Sequence, residues 1–502
     1  MNLSASEFAA LLPVLIPALG ACLLPIASLD RDQATHKWIR AVMFCVALGA
    51  LLASFYHLTE LWHLGSQPSF GQLRMDRLAQ FGGIFVTVCG ALATLQCWDH
   101  LHQEGAFKGE TLSLLLFSVT GMMMFAATTN LLVMFLGLEL LSIPLYALTA
   151  TVRERPEAVE GGLKYFLTGA VAAACFLMGS ALLYGLTRSF DLNDIGARLA
   201  ALAAESGGPD PLALAGAALL LMGFLFKVSA APFHQWTPDA YEGAPHPIAG
   251  FMSVATKGVA LVALLRAFPG GLSQAPVLGA KLQAAVAVLA ALTMVVGNLT
   301  ALSQTSVKRM LAYSSISHAG YLLLGFVAGT ERAYGAMIFY LVIYLAMNMG
   351  AFGLLTALGL VGDRTTFSDL RGAGWKRPVL GLSAAVCFLS LAGIPPTGGF
   401  YGKYMLFKEL VGTGHVGLAV LGVLASLASV YYYLRVLVAL FLEKPTERQE
   451  REAAERPEVE APFAGATLLV CAAIVLAGGF LQGFLGEGFA RRALDGVLLV
   501  LR

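Results

Sequence analysis

The sequence predicts an all-α polytopic membrane protein of about fourteen transmembrane helices. Of its 502 residues, 58% are hydrophobic and only 13% charged, where a soluble chain carries roughly 25% charged residues. The deficit repeats along most of the chain. Apolar runs of about 20 residues, the length a helix needs to cross the bilayer core, alternate with short polar loops. Two of these runs are broken by proline at similar places.

The first three runs, near 7–26, 38–58 and 77–98, make an N-terminal three-helix segment, residues 1–110. The run at 7–26 has no basic n-region, so it reads as a first membrane helix rather than a cleavable signal. Five runs follow near 111–128, 130–150, 163–187, 212–236 and 246–268, then five more near 282–303, 308–328, 333–360, 379–408 and 416–443. The last lies near 464–487, behind "EKPTERQEREAAERPEVEAP" (443–462), which reads as a solvated cytoplasmic linker. Linker and last helix form the segment 444–502. No separate soluble domain fits.

An even helix count puts both termini on one side, and loop Lys and Arg residues tend to stay inside. Loops sharing a side with 27–37 hold seventeen of the 32 Lys and Arg residues, the opposite loops eleven, and four lie within helices. The bias favours both termini on the outer face. A net charge of +1 gives no electrostatic footprint for nucleic acid or an acidic partner. The seven cysteines nearly all sit in apolar runs with no CxxC or CxxH spacing, so neither an iron–sulfur nor a structural zinc site is written here.

One broken run contains "GFLFKVSAAPFHQWTPDAYEGAPHP" (223–247), where Lys227 stands in the apolar stretch, Pro232 interrupts it and His234 follows. The other contains "LAGIPPTGGFYGK" (391–403), with Pro395, Pro396, Gly398 and Gly399 ahead of Lys403. They are the seventh and twelfth helices, five apart. Paired interruptions in two halves mark an internally repeated transporter with its polar path at the breaks. The expected units are two inverted five-helix repeats, 111–268 and 282–443.

A charged residue at mid-helix costs about 2.5–3.5 kcal/mol on insertion scales, so each asks for an explanation. The central ones are Glu139 in "FLGLELLSIPLY", Lys227, Lys257 in "SVATKGVAL", His318 in "SSISHAGYLLLG" and Lys403; Lys164 lies nearer a helix start. A structural ion pair would account for one of them. It does not account for the set, because one carboxylate cannot neutralise three lysines. Desolvation lowers a lysine pKa and a nearby carboxylate raises it, so a lysine between these influences can gain and lose a proton as neighbours move. That suits a proton relay, with Ser314, Ser315, Ser317, Asn348 and trapped water bridging the gaps. A proline-broken helix is tolerated where it is buried or lines a wet cavity, which places Lys227 beside a hydrated break.

Two other motifs carry less. "GTGHVG" (412–417) matches GxGxxG but follows a helix rather than a strand, so it fails the dinucleotide context. "WDHLHQEG" (98–105) clusters Asp99, His100, His102 and Glu104, and reads as a solvated loop rather than a metal site. Nothing resembles a flavin, haem or phosphate motif, so the chain is not expected to handle NADH or electrons itself.

Taken together, "FLGLELLSIPLYAL" (135–148), "KVSAAPFHQWTPDAYEGAP" (227–245), "SVKRMLAYSSISHAGY" (306–321) and "GIPPTGGFYGK" (393–403) resemble the antiporter-like membrane subunits of complex I, a family shared with multisubunit sodium/proton antiporters. The resemblance covers nearly the whole chain, and "GLKYFLTGA" (162–170) favours its complex I branch. It implies a proton relay in which Glu139 and Lys227 form a coupled pair, Lys164 lies between them, and Lys257 and Lys403 continue a central hydrated axis. His234 and His318 fall at polar positions of that axis. The stretch 170–185 is more alanine-rich than the family pattern, but removes no proton-carrying residue. The implied setting is a multi-pass protein of the bacterial inner membrane among other membrane subunits, including paralogous ones. NADH, flavin, iron–sulfur clusters and quinone would be held elsewhere in the complex.

Rival readings stay open at the sequence level. A subunit of a sodium/proton antiporter, or of a hydrogenase- or ferredoxin-linked relative, would carry the same motifs. A membrane scaffold would use the charges only to pin helices. An independent solute transporter would need a substrate-recognition constellation, and none is visible.

Overall fold

The computed structural model describes residues 4–27, 37–103, 108–360, 365–447, 460–480 and 492–494. Most of the charged linker, Glu104 and the end of the last expected helix lie outside these. Among the described residues, thirteen helices are long and apolar enough to cross a membrane, and a shorter apolar one begins the second broken run.

The N-terminal segment comprises α1 (Ala5–Ala27), α2 (Lys37–Leu64) and α3 (Arg77–Gln103). Between α2 and α3 a two-residue hairpin pairs Ser69–Phe70 with Leu73–Arg74. It is held by the Arg74 amide donating to the Ala127 carbonyl at 2.6 Å. Next come α4 (Gly109–Ala126), α5 (Leu131–Thr149) and α6 (Pro156–Thr187). Asn130 caps α5, accepting from the Leu132 and Val133 amides, which satisfies donors a helix start otherwise leaves bare. A helix absent from the sequence reading follows, α7 (Leu192–Ser206), capped by Asp191 and closed by left-handed Gly207.

The first break is sharper than a proline kink. Helix α8 (Pro211–Val228) stops at Ser229, which turns left-handed at φ 64°. A run of turns carries the chain to α9 (Trp236–Gly243), so the expected span 212–236 is two pieces. The backbone groups freed there are taken up locally: the Trp236 indole donates to the Phe226 carbonyl at 3.2 Å, and the Ala231 amide to Thr293 Oγ1 at 2.9 Å.

Helix α10 (His246–Phe251) passes through a π-helical turn, Met252–Thr256, into α11 (Lys257–Ala267). Lys257 therefore begins the segment in which the ladder resumes its normal spacing. Such π-turns recur at functional sites. The next three helices are α12 (Pro276–Leu302), α13 (Val307–Ala328) and α14 (Glu331–Ala357). Helices α13 and α14 and the segment from His246 to Gln274 are almost wholly buried and form the centre of the bundle, whereas α1, α2, α6, α12 and α18 keep most of their surface on the outside.

A short turn of helix, α15 (Ala373–Lys376), precedes α16 (Pro378–Ala392), which ends at left-handed Gly393 before the second break. Beyond it lie α17 (Gly398–Gly412), α18 (Val416–Phe441) and α19 (Pro462–Phe480). The Leu391 carbonyl would normally accept from residue 395, but Pro395 has no N–H. Lys403 takes that carbonyl instead, at 3.0 Å.

Candidate functional site: a buried polar axis

The axis begins at the first break. Lys227, in the last turn of α8, is 3% exposed. Its ammonium sits 5.1 to 5.4 Å from the ring centres of Tyr165, Tyr146 and Phe226. It donates to the Tyr165 hydroxyl at 3.4 Å. Trp236 lies flat on Tyr165, with ring centres 4.1 Å apart, and fixes its plane. Aromatic faces attract a cation, so this cage holds the charge without a contacting carboxylate. Glu139 on α5 is half-buried, and no ion pair joins it to Lys227 among the described residues. The two interact only through space. His234 lies in the turn of the break, partly buried, with Nδ1 unpartnered among the described residues, and it senses Lys257 through space.

Lys257 is fully enclosed, at 0% exposure. Its ammonium donates to the Ser315 carbonyl at 2.7 Å and also to the Ser315 hydroxyl. On the same helix, α13, Ser314, His318 and Tyr321 recur at helical spacing and share one stripe. His318 bridges two phenols, with Nδ1 2.6 Å from the Tyr340 hydroxyl and Nε2 3.0 Å from that of Tyr433, which also meets Ser314. His318 senses both Lys257 and Lys403 through space, which puts it between them.

Lys403 is 3% exposed. Besides the freed Leu391 carbonyl it donates to Ser426 Oγ at 2.9 Å, and its ammonium lies 4.9 Å from the Tyr321 ring centre. Gly393 makes room: a Cβ there would lie 3.3 Å from the Lys403 ammonium. Asn298 continues the network, donating to the Tyr321 hydroxyl at 3.2 Å and accepting from Tyr432 at 2.9 Å. Asn348 donates to Ser253 at 2.5 Å and to Tyr344 at 3.0 Å beside the π-turn.

Lys164 is the expected relay residue that the fold keeps out of this core. Its side chain is 47% exposed and pairs with Glu160 at 2.6 Å and Asp239 at 2.7 Å. Arg309 joins the same surface group through Asp239 and Glu242. The tyrosines that line the axis were invisible to a search for charge, because a phenol in an apolar run looks like any other aromatic. Among the described residues no three His, Cys, Asp or Glu side chains are placed to hold a metal. The expected solvated loop at 98–105 is, as far as Gln103, the end of α3, with Asp99 and His100 buried: Asp99 accepts from the Ala464 amide at 2.7 Å, His102 bonds its own helix, and His100 meets a different histidine.

Fold and site together define a polytopic membrane protein with a lysine-centred polar chain through its buried middle. The chain belongs to the NADH:quinone oxidoreductase/Mrp antiporter transmembrane family, whose model matches residues 128–429. It is 42% identical over 486 residues to the NADH-quinone oxidoreductase subunit N of Salinibacter ruber, spanning 94% of this chain and 92% of that one. A chain of respiratory complex I from Thermus thermophilus superposes with a TM-score of 0.76 at 34% identity, covering 95% of this chain and 99% of that one. A chain of the Mrp complex from a Dietzia species shares the fold, with a TM-score of 0.82 at 20% identity over 99% and 100% of the two chains.

Proposed function

We infer that this chain is the proton-translocating membrane subunit of a bacterial NADH-quinone oxidoreductase, of the subunit N type, working in the inner membrane beside other membrane subunits of the complex. The observation that carries the reading is the set of three enclosed lysines, each donating to a hydroxyl, with a buried imidazole that feels two of them. Hydroxyls and imidazoles both give and accept protons, and ionisable groups inside a membrane mark ion pathways.

In this reading Glu139 and Lys227 are the coupling pair. Lys227, when apart from Glu139, is held by its aromatic cage. Approach of the Glu139 carboxylate stabilises the ammonium, and its withdrawal releases the proton towards Lys257, then through Ser315, His318 and Tyr433 towards Lys403. His234 and water at the break help load Lys227. Lys164, with Asp239 and Arg309, lies at the rim as an electrostatic neighbour of the path rather than a station on it.

The two halves 111–268 and 282–443 act as inverted repeats, each with its broken helix fourth, after a three-helix segment 1–110 and before the linker and last helix of 444–502. Both termini face outward. The chain holds no cofactor of its own: NADH, flavin, iron–sulfur clusters and quinone belong to other subunits. A sodium/proton antiporter subunit shares the architecture, but the 42% identity over nearly the whole chain to a subunit N favours the redox-driven complex over a fold-level likeness at 20%.

The test is Lys227→Met in inverted membrane vesicles, with assembly of the complex checked on native gels. Loss of NADH-driven quinone reduction together with the pH gradient, in an assembled complex, supports the relay. Survival of both makes the lysine structural and refutes it.

A further inference from the structure

A second group of buried titratable side chains lies off the axis. His100, near the end of α3, and His246, which opens α10, are each 1% exposed and face one another with ring centres 4.7 Å apart. His246 Nε2 lies 2.8 Å from the Leu360 carbonyl, which can only accept. That contact assigns the proton to Nε2 and leaves Nδ1 as a bare lone pair. Nδ1 is buried and has no hydrogen-bond partner among the described residues. The His246 amide points at His100 Nε2 at 3.4 Å, which makes that nitrogen an acceptor and puts the His100 proton on Nδ1.

The surroundings are basic. Lys308, at the start of α13, donates to the Glu242 carbonyl at 2.9 Å and to the Ala244 carbonyl, clamping the loop that leads into His246. Arg155 acts on both imidazoles through space, as does Lys308. Asp99 is the neighbouring acid on α3, but its carboxylate is engaged by the Ala464 amide. Tyr241 and Glu242 come from α9, with Glu242 committed to Arg309.

The position matters as much as the chemistry. The end of α3 and the starts of α10 and α13 share the membrane face of the loop after α1, the face with seventeen of the 32 Lys and Arg residues, which the positive-inside tendency makes cytoplasmic. Ser315, the partner of Lys257, lies seven residues beyond Lys308 on α13, about 10 Å deeper at 1.5 Å per residue. The buried Tyr241 hydroxyl lies near Ser315.

We propose that the His100–His246 couple is a proton intake site that loads the axis from the Lys- and Arg-rich face, with His246 Nδ1 as the acceptor. Resting on the relay reading above, the step is a proton transfer alone. A proton from the aqueous side adds to Nδ1, giving an imidazolium beside Lys308 and Arg155. Their repulsion drives it inward past Tyr241 and intervening water to a neutral Lys257, and His246 returns to its Nε2–H form. A helix-opening histidine kept only for structure needs just its bond to Leu360. It would gain nothing from a second nitrogen left buried and bare.

His246→Gln separates the two roles, because a glutamine Nε2 can still donate to Leu360 but cannot carry a proton. In inverted vesicles with assembly verified by native gel, it is expected to lower quinone reduction and the pH gradient together by about 10-fold or more, as loss of a proton-transfer group does. Full activity in His246→Gln with loss in His246→Ala would show a structural role and overturn the proposal. If His246→Gln does not assemble, His100→Gln, whose amide oxygen still accepts from the His246 amide, carries the same expectation and the same refutation. Lys257→Met is measured alongside. Its loss of activity beside a fully active His246→Gln removes the intake site alone, whereas full activity in both removes the relay as well.

Discussion

Asp76→Asn should destabilise the protein by several kcal/mol through loss of one buried ion pair. Arg266, near the end of α11, is 6% exposed, and its two terminal nitrogens reach the two Asp76 oxygens at 2.7 Å each. Its Nε donates to the Ala126 carbonyl at 3.0 Å, so one side chain ties α11 to the start of α3 and to the end of α4. The asparagine would keep the cap on α3, where Asp76 Oδ1 accepts from the Ala79 amide at 2.9 Å, but would leave a buried guanidinium without its counter-charge. Breaking one side of a buried pair costs about 3–5 kcal/mol. Unfolding of a chain this size is not two-state, so the readout is the temperature at which buried thiols react with maleimide in membranes. Cys89 and Cys97 are buried in α3 and become reactive only when that helix opens. Asp76→Asn should move that temperature down by several degrees. An unchanged temperature would refute the claim that this pair locks the N-terminal segment to the core. The same pair sets a pH signature. Burial pushes the Asp76 carboxyl up, but the Arg266 guanidinium outweighs it and holds the group below its ordinary range. A carboxyl held low in the fold stabilises above its unfolded value, about 3.9, and loses that contribution as pH falls through its folded value. The gap between wild type and Asp76→Asn should therefore persist at neutral pH and close below about pH 4.

Two further changes test the packing and wiring of the axis. Tyr433→Phe keeps the ring but removes the hydroxyl shared by His318 and Ser314; the complex should assemble with a stability loss of about 1 kcal/mol, while NADH-driven quinone reduction and the pH gradient fall together in vesicles. Gly297→Leu should reduce the amount of assembled complex on native gels, because a Cβ at Gly297 would lie 2.6 Å from the Ser317 amide nitrogen and α12 would have to move off α13, an overpacking that costs about 1–3 kcal/mol.

The membrane architecture was legible because its signals are coarse: length of apolar run, charge inside it, proline breaking it. Pro232 and the Pro395–Pro396 pair located both breaks, and Lys227, Lys257 and Lys403 stood out because charge in an apolar run is expensive. What the sequence could not display is who answers that charge. The partners of Lys403 are the Leu391 carbonyl and Ser426, and those of Lys227 are Tyr146, Tyr165 and Phe226; none has a charge to draw attention. The π-turn before Lys257 leaves no trace in hydropathy, since Met252–Thr256 reads as ordinary apolar helix. Helix α7 was missed for the opposite reason, being too short and too polar to register as a span. His246 escaped notice because it opens a helix, where a polar residue is unremarkable until the structure sets it against His100. Lys164, two turns into α6, reads as intramembrane in the sequence, and the structure turns its side chain to Glu160 and Asp239.

The enclosed lysines carry protons in this mechanism. Lys257 tests it most directly, because it has no exposed surface and, among the described residues, only Ser315 as its hydrogen-bond partner. The measurement is NADH-driven quinone reduction and pH-gradient formation, recorded together in inverted vesicles carrying Lys257→Met, a neutral side chain that fits a lysine-sized space. The expected result is a fully assembled complex in which both activities collapse. An assembled complex that pumps and turns over like wild type would contradict it.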